Sequence, residues 1–104
     1  MTMFWFVVAL AAAAPAAAAT PLDVRARDLV RASESALSKA DYEEAIAKAE
    51  EAFAIHRQLH ADADSAWDLN TVGLANQYLT RYTAALAAYR RALELDRASG
   101  NADG

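Results

Sequence analysis

Beyond residue 20 the apolar positions recur at helical spacing, and they do so twice. Tyr42, Ala45, Ile46, Ala52, Phe53 and Ile55 fall on Tyr82, Ala85, Leu86, Ala92, Leu93 and Leu95 at a constant offset of forty residues. Within each copy the positions run i, i+3, i+4, i+10, i+11, which is one stripe of an α-helix and incompatible with the period-2 alternation of a strand. The same offset carried backwards sets Leu29 against Leu69, Ala32 against Val72 and Ser33 against Gly73, so a second helix precedes each striped one. Each copy is thus expected to be a helical hairpin.

End signals place the boundaries. Thr20-Pro21-Leu22-Asp23 offers a capping threonine, a proline at the first helical position and an acid three residues after the cap. Asp41-Tyr42-Glu43-Glu44 and Ser65-Ala66-Trp67-Asp68 repeat the cap-plus-acid spacing, Thr80 is a weaker cap, and Gly100 suits a left-handed stop. The expected helices lie near 21–38, 42–60, 65–79 and 81–98. Connections this short force successive helices to be antiparallel neighbours. Small residues are needed where axes come closest, and Gly73, Ala85 and Ala92 are expected to meet at such a crossing. Tyr42 and Tyr82 are expected to wedge against the helix before them, and Tyr89 and Phe53 to lie on the buried stripe.

The first nineteen residues carry no charge, and an apolar run from Phe4 to Leu10 leads into an alanine tract broken by Pro15. This is the pattern of a secretory signal peptide, with small residues at both key positions of a cleavage site before Thr20. A membrane anchor over residues 1–19 is the alternative, weakened by how little transfer energy alanine supplies. The reading is therefore a signal peptide over 1–19, a helical domain over 20–104, and export to a periplasm or to the outside.

Composition narrows the chemistry. With 29 alanines, three glycines, two prolines and no cysteine in 104 residues, packed helices are favoured, and disulfide or cysteine-metal sites are excluded. Too few glycines exist for a phosphate-cradling loop. A net charge of -4 has the wrong sign for nucleic-acid binding. His56 and His60 stand i, i+4 on one helix, but no third ligand accompanies them and a surface pair is the expectation, so no metal site is assigned. No nucleophile motif occurs, and neither catalysis nor any cofactor is expected.

The second copy resembles the tetratricopeptide repeat family in its longer variety of forty to forty-two residues, similar to the repeats of kinesin light chains. Leu69-Asn70-Thr71-Val72-Gly73 resembles one family segment, and Tyr82-Thr83-Ala84-Ala85-Leu86-Ala87-Ala88-Tyr89-Arg90-Arg91-Ala92-Leu93-Glu94-Leu95 resembles its second helix. The first copy matches mainly through Asp41 to Ile46 and Ala52 to Ile55. Departures are clear: the family's turn glycine is Ala40 and Thr80 here, its aromatic is Asn76, and Ala49 stands where the second copy has Tyr89. Ser33, Ser35 and Ser38 make the first helix polar and fit an N-terminal cap. The ending from Arg97 resembles the lead-in to another repeat.

The resemblance implies an all-α, short right-handed solenoid of stacked hairpins that binds a protein or peptide segment in a groove lined by the first helix of each hairpin. It points to Asn70, Leu74, Gln77 and Tyr78 as peptide-binding residues, Asn70 foremost because an amide donates and accepts at once. On the first helix the corresponding positions are Val30, Glu34 and Leu37. The alternative is an architectural piece of an oligomeric array, self-associating through its exposed last hairpin.

Overall fold

The computed structural model describes residues 20–100, which form four helices: α1 (Pro21–Ser38), α2 (Tyr42–Gln58), α3 (Asp62–Tyr78) and α4 (Tyr82–Ala98). Each packs antiparallel on the next in sequence, and α1 also touches α3. The expected signal peptide or anchor at 1–19, like residues 101–104, lies outside the described residues. Among the described residues no helix is long and apolar enough to cross a membrane.

The start of α1 follows its sequence signal. Thr20 Oγ1 accepts from the Asp23 backbone N–H at 3.1 Å, and the Asp23 carboxylate accepts from the Thr20 N–H at 3.1 Å, a reciprocal capping box. Asp41 caps α2 by accepting from the Glu44 N–H at 3.4 Å. The third and fourth starts differ from expectation. Helix α3 begins at Asp62 after Ala61, and α4 begins at Tyr82 after Arg81, neither with a side-chain cap.

The reason lies in the turns. Ala40, His60 and Thr80 adopt left-handed φ values of 61°, 57° and 60°, each just past a helix end. The following residues Asp41, Ala61 and Arg81 donate back to the Ala36, His56 and Asn76 carbonyls at 2.8 Å. Those same three residues then accept the first bond of the next helix, from Ala45, Ser65 and Ala85. One backbone unit therefore ends one helix and opens the next, so a separate capping side chain is dispensable. Thr80 terminates α3 instead of capping α4. Ser65 sits inside α3, fully buried, with its Oγ lacking a partner.

The core between the helices is made of methyl groups. Leu29, Ile55, Leu69 and Val72 are its larger members, and every other fully buried apolar side chain among the described residues is alanine. Ala26, Leu29, Ala52 and Ile55 join α1 to α2, whereas Ala66, Leu69 and Ala92 join α3 to α4. Ala36, Ala45 and Ala75, and then Ala49, Val72 and Ala88, carry the contact across the hairpin junction. Side chains this small let axes approach closely, which is what the alanine content provides.

Two packing expectations are corrected. A Cβ on Gly73 would meet the ring of Tyr89, 2.7 Å from Cε1, so this glycine makes room for an aromatic ring. The three atoms nearest to that position all belong to the ring, and none to the Ala85 or Ala92 expected there. The Tyr89 hydroxyl, past that contact, donates to Gln77 Oε1 at 2.9 Å. Tyr42 packs against the cluster of Ala36, Ala45 and Ala75 and stacks on Tyr78 of the helix after it, with ring centroids 4.9 Å apart and planes 4° apart. Tyr82, at the matching position of the second hairpin, is 64% exposed. Tyr89 and Phe53 are half-buried.

Candidate functional site

The sequence-predicted residues Asn70, Leu74, Gln77 and Tyr78 are all exposed on α3. Asn70, Leu74 and Tyr78 stand at spacings of four, and share one stripe with Trp67, three residues before Asn70. Gln77 is drawn away from that stripe, because its side-chain carbonyl accepts from Tyr89 on α4. Tyr78 is held in place by the Tyr42 stack while keeping 60% of its surface free. Leu74 also remains exposed, an apolar side chain on a helix whose opposite face is fully packed. On α1 the corresponding residues are uneven: Val30 and Leu37 are half-buried in packing, and Glu34 is exposed.

Trp67 is the strongest feature sequence reading overlooked. Its indole is 57% exposed and lines a cleft of about 500 Å³ where the N-terminal halves of α1 and α3 meet. Asp23, Ala26, Arg27 and Val30 of α1 form one wall, and Asp64, Trp67 and Asp68 of α3 the other. The floor is His56 and Leu59 at the end of α2. Trp67 occupies the register of Arg27 at the forty-residue offset, so the repeat itself carried the signal.

Beneath the cleft lies a buried histidine–aspartate hydrogen bond that no local motif announces. His56 Nδ1 is 2.5 Å from Asp68 Oδ2, and the two residues are 8% and 2% exposed. Burial pushes the Asp68 carboxyl up to about 6, against the opposing pull of the His56 hydrogen bond and charge. When ionised, that carboxylate can only accept, so Nδ1 must donate, and in the neutral tautomer Nε2 is then an acceptor. Nε2 has no partner among the described residues and is not sealed from solvent. The expected surface pair of His56 and His60 is thereby corrected: His56 is buried and bonded across the turn, while His60 is an exposed left-handed turn residue. No group of three metal-ligating side chains exists among the described residues.

Two charged neighbours complete the cleft. Hydrogen bonds from Thr20 hold the Asp23 carboxyl below its ordinary value, with Arg27 and His56 pulling the same way. Asp64 forms no ion pair among the described residues, and its charge contributes to raising Asp68. Asp64, Trp67 and Asp68 stand at i, i+3 and i+4 and therefore share one face.

No family model matches the chain, and neither the curated proteins nor the solved structures include a match to it.

Proposed function

We propose that this chain is an exported helical-repeat scaffold of the tetratricopeptide type, a short right-handed solenoid that binds an extended peptide or protein segment and performs no catalysis. The observation that carries the reading is the exposed stripe of Trp67, Asn70, Leu74 and Tyr78, two aromatics and a leucine bracketing an amide on the helix face beside α1. Rigid aromatics supply contact area at low entropic cost, and an amide grips main chain from either side. The helix is fixed by packing on both α2 and α4, so the stripe is presented without prior ordering. Export rests on the uncharged segment 1–19, with a periplasmic or secreted destination.

A specific observation favours the architectural alternative. Tyr82, Leu86 and Leu93 are 64%, 49% and 43% exposed, whereas Tyr42, Ile46 and Phe53 at the matching positions are packed against the next hairpin. The outer face of α4 thus has the chemistry of a face that elsewhere in this chain receives a hairpin.

One experiment separates the two. Peptides selected from a random library against the immobilised chain are measured by fluorescence anisotropy against the wild type and against Asn70→Ala with Leu74→Glu. The double variant should lose roughly tenfold or more in affinity with an unchanged helical circular-dichroism spectrum. Undiminished affinity overturns the groove reading, and an oligomer that Leu86→Glu reduces to a monomer supports the architectural one in its place.

A further inference from the structure

We propose that the cleft between α1 and α3 is a subsite for an alkylammonium group, the side chain of a lysine carried by the bound segment. The inference deepens the groove reading and rests on it only for the statement that the ammonium arrives on a peptide. Four observations lead to it.

The cleft is amphipathic in the way a lysine is. Ala26, Val30 and Leu59 provide apolar wall, which suits a four-carbon stem, and the polar groups cluster beyond them. An exposed indole stands at the rim, and the face of tryptophan is the best aromatic partner for a cation.

Charge selects the sign. Arg27 and Asp23 stand on the same wall and offset one another, which leaves Asp64 and Asp68 against a single imidazole. Asp64 is three residues before Trp67 on the same helix face, so an ammonium lying over the indole is within its field. An anionic group would face three carboxylates, Asp23, Asp64 and Asp68, with only Arg27 and the imidazole to offset them.

The fourth observation is the hydrogen-bonding pattern of the floor. His56 is buried, lines the cleft, and has its Nδ1 committed to Asp68. In the neutral tautomer that donates from Nδ1, its remaining nitrogen is an acceptor without a partner among the described residues, open to a donor in the cleft. An ammonium brings three.

The test titrates the full chain with Nα-acetyl-lysine methylamide and follows the Trp67 indole and His56 ring resonances by NMR, the Trp67 peak being identified by its loss in Trp67→Ala. Norleucine and glutamate analogues of the same probe are the controls. The lysine probe should produce saturable shifts at both residues that the norleucine probe does not. Asp64→Asn and Trp67→Ala, both at exposed positions, should each weaken it roughly three- to thirty-fold. Equal binding of the norleucine probe, tighter binding of the glutamate probe, no saturable shift, or indifference to Asp64→Asn overturns the assignment. Library peptides that still bind through Asn70 and Leu74 would leave the groove reading standing when the subsite fails. Loss of peptide capture with lysine-probe binding intact would mark the reverse.

Discussion

The two hairpins share one sequence pattern, yet matching positions meet different fates according to whether they face the junction or the outside. Tyr42 stacks on Tyr78 while Tyr82 is bare, and Ile46 is packed while Leu86 is half exposed. The polar pair follows the same rule. His56 and Asp68 are buried against each other at the junction, whereas Asp96 and Asp28, their counterparts at the forty-residue offset, lie at outer positions, Asp28 exposed and Asp96 half-buried. Two acids at those outer positions are tolerated because each can reach water. At the junction one of the two had to become a group that donates to the other, since two buried carboxylates would repel.

Breaking that junction pair is expected to have the largest effect. His56→Leu leaves a buried carboxyl without a partner and should cost about 3–5 kcal/mol at pH 7, measured by urea denaturation. Acid should reduce the penalty. The folded Asp68 carboxyl keeps its proton to about pH 6, against an ordinary value of 3.8, so the folded state binds more protons between those values. The contribution of this group to stability is therefore fully present below about pH 4 and lost as pH rises through about 6. Asp23, held below its ordinary value, has the opposite sign and acts only at still lower pH. Asp68→Asn, which keeps an acceptor for Nδ1–H, should flatten the decline between pH 4 and 6. A wild-type and Asp68→Asn difference curve without slope in that interval would remove the pair from the account.

The fold was legible because it depends on a stripe, and a stripe is local. The four helices, their order and the Thr20 and Asp41 caps follow from spacing and side-chain chemistry within a few residues. The start of α3 was not, because it is set by backbone bonds from Ala61 that involve no characteristic side chain. Neither Ala40 nor His60 marks itself as a left-handed residue in the way Gly100 does. Of the candidate site, exposure of Asn70, Leu74 and Tyr78 followed from their lying off the packing stripe. The cleft did not follow. His56 and Asp68 are twelve residues apart across a turn, and only the antiparallel docking of α3 on α2 brings them together.

Inside the hairpins the comparison sharpens at one crossing. The second hairpin uses Gly73 and Tyr89 where the first has Ser33 and Ala49. Gly73→Ala gains about 1 kcal/mol of helix propensity but drives a methyl to 2.7 Å from the Tyr89 ring, which must swing out and give up Gln77. A net loss of about 1–2 kcal/mol is expected. With Tyr89→Ala already made, the second hairpin has small residues on both sides, as the first does, and Gly73→Ala should then stabilise by up to about 1 kcal/mol. Denaturation of the four proteins of this cycle tests it, and additivity would show that the ring and the glycine are not coupled.

The smallest expected effect concerns the turns, which repeat at twenty residues where the stripe repeats at forty. Ala40, His60 and Thr80 all occupy a conformation that costs an L-residue about 1–2 kcal/mol relative to glycine. Threonine is the least suited, because its branched Cβ crowds the backbone at positive φ. Its hydroxyl recovers part of that by donating to the Leu79 carbonyl at 2.6 Å, an exposed bond that water replaces readily. Glycine also loses more entropy on folding, so the net gain from Thr80→Gly should be only about 0.5–1 kcal/mol. Ala40→Gly should gain less. Thermal unfolding of both variants ranks them, and an equal or larger gain at Ala40 would mean that the two turns, alike in backbone, are also alike in strain and that the branch at Thr80 is accommodated without cost.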